Sequence, residues 1–110
     1  MKKLVIVASL IVTGAANASV YTGTVQQVLA QASPTTPGNT RVSIYVGGFT
    51  TSCAGTGWFS FDLPNSSQAP FWQAMALTAV AQGISVKITG TGTCDAYSIE
   101  MVEGIYVLAP

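Results

Sequence analysis

The chain contains no histidine, and charged residues make up only 7% of it. Without imidazole it lacks the commonest general base and the commonest metal ligand. Two cysteines, Cys53 and Cys94, stand far apart and form no C-x-x-C pair, so neither a zinc site nor thiol catalysis is expected. No metal and no cofactor follows from the residues present. Serine is plentiful, but there is no G-x-S-x-G turn and no base beside a serine to activate it. Beyond Lys2 and Lys3 the only bases are Arg41 and Lys87, against Asp62, Asp95, Glu100 and Glu103. Nucleic acid requires clustered Lys and Arg to neutralise phosphate, so it is excluded as a partner. The same scarcity argues against an anionic membrane surface. The single long apolar run, residues 4–12, is too short to span a bilayer, so no membrane anchor is expected.

That apolar run has a different use. It follows the cationic start Met1-Lys2-Lys3 and precedes Ala16-Asn17-Ala18, an A-x-A cleavage site. The order is that of a bacterial secretory signal peptide. Residues 1–18 are expected to be removed, leaving a mature chain that starts at Ser19 and is periplasmic or secreted. Taking 18 residues from 110 leaves 92 for one domain, residues 19–110. A core of that size is modest and is often helped by a crosslink. In an oxidising compartment Cys53 and Cys94 are expected to form a disulfide. Its long loop gives roughly 4 kcal/mol by the chain-entropy argument. A surface with so little charge also favours self-association.

Residues 20–30, rich in Val, Thr and Tyr, read as a strand with a bulge near Gln26-Gln27, where Val25 and Val28 fall out of alternation. Residues 32–40 form a Pro-rich loop. Residues 41–46 alternate strictly, with Val42, Ile44 and Val46 inward. A glycine-rich connection over 47–57 carries Cys53. Residues 58–63 place Phe59, Phe61 and Leu63 inward. One helix is predicted over 69–82, with Ser67 or Gln68 near its N-cap, Pro70 in its first turn and Gly83 as its stop. It has no charged face, so it is either buried on most sides or packed against another copy. Residues 84–89 alternate again, 90–95 read as a turn carrying Cys94, and 97–108 as a last strand with a bulge at Glu103-Gly104. The fold class is mainly β. The order three strands, helix, two strands is that of the OB-fold, a five-stranded Greek-key barrel with a helix between strands 3 and 4. The alternative is an open α+β sheet with the helix on one face.

Arg41, Ser43 and Tyr45 point away from the core on one strand, and Trp58, Ser60 and Asp62 on the next. If the strands are neighbours, the six residues share a face with two aromatics, two hydroxyls and two charges. Sugars pack C–H surfaces on aromatic planes and bond polar side chains at their edges, which makes this face a candidate glycan site. The competing reading is a surface ion pair of Arg41 with Asp62 beside aromatics that merely cover the sheet. Asp62, Glu100 and Glu103 are the carboxylates available for acid–base work of the glycosidase kind, although a solvated edge suits Glu100 and Glu103 better. Gly90-Thr91-Gly92-Thr93 lacks the Lys of a phosphate loop and reads as a structural turn. Asn65-Ser66-Ser67 is a sequon with no expected use in a bacterial chain. Phe71, Trp72 and Met75 exceed one narrow stripe of the helix and are candidates for an oligomer interface.

The segment Pro70-Phe71-Trp72-Gln73-Ala74-Met75, continuing to Gly83-Ile84-Ser85-Val86-Lys87-Ile88, resembles the helix-then-strand part of the B subunit of subtilase cytotoxin and its small bacterial relatives. The resemblance covers about half of the chain. It implies the OB-fold, a ring-shaped pentamer, binding of sialylated host glycans, and a catalytic A subunit as partner. The fold and assembly through the helix carry over to this chain; no glycan-binding residue does. Three functions remain: an exported, non-enzymatic, glycan-binding module; a structural or protein-interaction module without a small ligand; and a small hydrolase. The first is preferred.

Overall fold

The computed structural model describes residues 18–63 and 66–109. The signal segment up to Asn17, and Asn65 of the sequon, lie outside them. Six strands and one helix follow in the order β1 (Val20–Gly23), β2 (Gln27–Ala32), β3 (Thr40–Tyr45), β4 (Trp58–Leu63), α1 (Ala69–Gln82), β5 (Val86–Cys94) and β6 (Glu100–Val107). Among the described residues the architecture is mainly β: one open mixed sheet in the order β1-β5-β6-β4-β3-β2, with a single helix. Neighbours pair antiparallel except β4 and β6, which run parallel.

The expected single first strand is two. Its first part pairs with β5 and its second with β3, at opposite edges of the sheet. The chain crosses between the edges in the three residues Thr24 to Gln26. No bulge is needed to turn Val25 inward, because the break itself buries it at 5% exposure.

Alternation elsewhere places the core as the pattern requires. Val42, Ile44, Phe59, Val86 and Ile88 are fully buried, and Val46, Phe61, Val102 and Ile105 nearly so. Leu63 stays partly exposed at the rim. The helix spans the predicted residues, and its stop is Gly83 at φ 68°, a left-handed conformation that glycine adopts without strain. Its N-cap, Gln68, makes no side-chain capping bond. At its N-terminal end, packing rather than a side-chain cap therefore holds this helix. Ala69, Ala76 and Ala79 lie against the sheet, where their small side chains allow close approach. Trp72 meets Phe61 edge-on at 5.4 Å between ring centres.

Several strand limits differ from expectation: β2 runs on to Ala32, β3 covers Thr40–Tyr45, β5 starts at Val86 and β6 only at Glu100. Strand β5 runs through Gly90-Thr91-Gly92-Thr93 to Cys94, so that stretch is strand rather than turn. Its pairing with β6 shifts register twice, which takes up the irregularity that the glycines announce. The turn falls one step later, where the Ser98 amide donates to the Asp95 carbonyl at 3.0 Å. The bulge expected in the last strand is there: Thr89 faces Gly104 while Gly90 faces Val102, leaving Glu103 as the extra residue. The Cys53–Cys94 disulfide is formed and ties the glycine-rich loop before β4 to the end of β5.

Candidate functional site

Strands β3 and β4 are antiparallel neighbours, as the shared face requires. Arg41 lies opposite Asp62, Ser43 opposite Ser60, and Tyr45 opposite Trp58. The six candidate residues are therefore one patch, and the rings of Tyr45 and Trp58 touch at 4.8 Å between centres. The patch is not the open face expected. Arg41, Ser43 and Ser60 are buried, Arg41 at 4% exposure, while Tyr45, Trp58 and Asp62 are half-buried.

The cover is the turn between β5 and β6. Asp95 accepts from Arg41 through Nε at 3.0 Å and Nη2 at 2.6 Å, and from the Ser60 hydroxyl at 2.5 Å. Arg41 Nη1 donates to the Ser43 hydroxyl at 2.6 Å. Tyr97 lays its ring 4.6 Å from the guanidinium carbon. The surface ion pair of Arg41 with Asp62 does not form. Their backbones are opposite, but the guanidinium turns to Asp95, and Asp62 accepts instead from the Ser33 hydroxyl at 3.1 Å.

Two clefts flank this buried pair. One, of about 280 Å³, is lined by Leu29, Gln31, Arg41, Ser43, Trp58, Tyr97 and Ile99. The other, of about 440 Å³, takes in Thr35, Arg41, Ser60, Asp62, Asp95 and Met101. Arg41 belongs to both. The first combines two aromatic walls with amide, hydroxyl and guanidinium donors, the composition that holds a polar ring with apolar faces. Tyr45 lines neither cleft and acts as the support behind Trp58.

Asp95, Tyr97 and Ile99 are the residues that alternation missed. One signal was present: Asp95 follows Cys94 and is a strong turn former. Its Oδ1 accepts from the amide of Tyr97 at 2.8 Å and of Ile99 at 3.1 Å, so the side chain shapes the turn that carries the cleft wall. The crosslink fixed this turn near the patch, a relation that no local pattern records.

Glu100 departs furthest from expectation. It is not on a solvated edge but fully buried, with its carboxylate accepting from Ser19, Ser52 and the Gly92 amide. A Cβ at Gly90 would collide with this carboxylate, so the glycine in β5 makes room for it. Glu103 is exposed on the bulge. Of the interface candidates, Phe71 stands 66% exposed, whereas Trp72 and Met75 pack partly against the core. Leu77 adds a second exposed apolar side chain to the helix.

Burial pushes both carboxyls up, but hydrogen bonds outweigh it. Ser60, Arg41 and the two turn amides hold Asp95 below its ordinary 3.8, and Ser19 and Ser52 hold Glu100 below its ordinary 4.5. A depressed folded value means that the unfolded chain takes up protons first as pH falls. The stability from both groups is present above their ordinary values and is lost progressively as pH drops through the lower folded ones. Thermal unfolding followed from neutral pH downward is expected to show a level Tm until about the ordinary carboxyl range and a fall below it. A Tm that stays level through that range would contradict these assignments.

No family model matches the sequence, and no curated protein matches it. Among the described residues no group of three or more acidic or cysteine side chains is placed to hold a metal, and no helix is long and apolar enough to cross a membrane.

Proposed function

We propose that this is an exported, non-enzymatic binding protein that holds a glycan ring in the cleft between Trp58 and Tyr97. The observation that carries the reading is the lining of that cleft: aromatic rings beside Gln31, Ser43 and Arg41. A guanidinium has five N–H donors, and Arg41 directs three of them to Asp95 and Ser43, which leaves two for a hydroxyl or carboxylate of a ligand. The non-enzymatic part is supported by Asp95 and Glu100. Both are held below their ordinary values by several hydrogen-bond donors, so neither is protonated near neutral pH to serve as the general acid that glycoside hydrolysis needs.

The finer architecture belongs to the same proposal. β1 and β2 are taken as halves of one bent strand, which makes the sheet a five-stranded OB-type barrel with the helix between its third and fourth strands. The three-residue link between the two sheet edges supports it. The second reading, a protein-interaction or self-assembling module, draws on exposed Phe71 and Leu77 on the helix.

A glycan array probed with the disulfide-intact mature protein tests the first reading. Truncating an aromatic at the centre of a contact costs upwards of about 1 kcal/mol, so Trp58→Ala and Tyr97→Ala are each expected to weaken binding roughly fivefold or more. Tyr45→Ala, acting through Trp58, should have a smaller effect, and Phe71→Ala none. A folded protein that binds no glycan would remove the first reading. A stable complex of copies, lost in Phe71→Ala, would favour the second.

A further inference from the structure

Among the described residues, Glu100 is a buried carboxylate without a cation. Its residue exposure is 0%, and its donors are hydroxyls and amides. Ser19 gives its backbone N–H to Oε2 at 2.9 Å and its hydroxyl to Oε1 at 2.5 Å. Ser52 gives its amide at 3.2 Å and its hydroxyl at 2.9 Å to Oε1, and Gly92 its amide at 3.1 Å to Oε2. The groups facing the carboxylate from the start of β1, the loop before β4, and β5 are neutral. The one salt bridge among the described residues is that of Arg41 with Asp95, and Lys87 lies over the Tyr106 ring. The neutral donors outweigh the cost of burying this charge, and an opposite charge in contact relieves that cost further.

The nitrogen nearest to supplying that charge is Ser19 N, which stands where the sequence places the first atom of the mature chain. Ser19 is fixed there independently of Glu100, since its carbonyl accepts from the Gly90 amide at 2.8 Å. Its hydroxyl also accepts from the Ser52 amide at 3.1 Å. Ala18, the residue before it, is exposed. The bond between Ala18 and Ser19 thus joins an exposed residue to an anchored one.

We propose that Ala18–Ser19 is a processing site and that the α-ammonium released at Ser19 docks on Glu100 as the cation this carboxylate otherwise lacks. An endopeptidase of the signal-peptide class adds water across the peptide bond. The hydroxyl goes to the Ala18 carbonyl carbon, the C–N bond breaks, and the Ser19 nitrogen takes one proton from that water and a second from solvent. The product ammonium has three N–H donors at a position that a single amide N–H now occupies. Cleavage therefore completes the fold as well as releasing the leader. The proposal rests on the export reading and is independent of the glycan reading, because none of its readouts involves a ligand.

The test exports the full chain from a bacterial host and determines the N-terminus by intact mass, which is expected to begin at Ser19. In the processed protein, the ¹⁵N-labelled Ser19 amine is expected to titrate above the ordinary α-amine value of about 7.7–8.0. A variant with one glycine inserted between Ala18 and Ser19 keeps the Ser19 amide bond to Glu100 but moves the charge away. The structure, with Ala18 attached, already accommodates such an extension, so its effect reads charge rather than a clash. Its Tm near neutral pH is expected to fall by roughly 4–8 °C, the shift of one charge-assisted bond in a domain of this size. In a Glu100→Gln background the insertion should change little. If Glu100→Gln does not fold, the parent and the insertion still decide the matter. A different N-terminus, an ordinary amine pKa, or equal Tm values for parent and insertion would each overturn the proposal.

Discussion

Asp95→Ala is expected to destabilise the domain by about 3–5 kcal/mol, the cost of removing one partner from a buried ion pair. Arg41, at 4% exposure, would keep its charge and lose two of its three hydrogen bonds. Ser60 would lose its acceptor, and the amides of Tyr97 and Ile99 the oxygen that shapes their turn. On a total of about 5–15 kcal/mol for a domain, such a loss leaves little margin. Asp95→Asn should cost less, because its amide oxygen still serves the turn amides, although an NH2 then replaces the oxygen that accepts from Arg41 and Ser60. Arg41→Met with Asp95→Leu should recover much of the stability, because the pair is removed together and no charge stays buried. Urea unfolding of the four proteins checks the order. A cost for Asp95→Ala within the 0–1 kcal/mol range of a surface pair would mean that the turn leaves Arg41 in contact with water.

Much of this pair's environment was readable, but the pair itself was not. The alternation of residues 41–46 and 58–63 sorted the two faces of β3 and β4 and gave the core positions of Val42, Ile44, Phe59 and Phe61, while the register that sets Arg41 against Asp62 came from the pairing itself. Pro70 and Gly83 bounded the helix because each acts on its own backbone. Alternation separates the two faces of a strand but does not say what lies over either face. Arg41 therefore read as a surface residue until a turn some fifty positions later covered it. Glu100 failed for the same reason: its donors come from Ser19 and Ser52, both distant in sequence. The break at Thr24 to Gln26 was visible as a slip in period, and a bulge and a change of sheet edge produce the same slip. Only the pairing of β1 with β5 separates the two. The helix lacked a charged face, and that absence left open what covers Phe71, whose exposure in a single chain returns the question to assembly.

Replacing both cysteines, Cys53→Ala with Cys94→Ala, is expected to lower stability by roughly 4 kcal/mol from loop entropy alone, for a crosslink spanning 41 residues. The structure gives a reason for a further loss. Cys53 follows Ser52, which gives two hydrogen bonds to Glu100, and Cys94 lies opposite Glu100 in the pairing of β5 with β6. The crosslink thus fixes both sides of the seat in which the buried carboxylate sits. Without it, the glycine-rich loop is free to lift Ser52 away and expose Glu100 to partial solvation. The two contributions are separable by a cycle of four proteins: parent, cysteine double variant, Glu100→Gln, and the combination. If the disulfide positions the seat, Glu100→Gln should cost less in the cysteine-free background, with a coupling of about 0.5–3 kcal/mol as expected for groups in contact. Costs that add to within about 0.5 kcal/mol would instead confine the disulfide to an effect on the unfolded chain and leave the Glu100 seat intact without it. Reduction of the parent protein under otherwise native conditions gives the same comparison without mutation: a fall in Tm larger than that of reduced Glu100→Gln carries the same meaning.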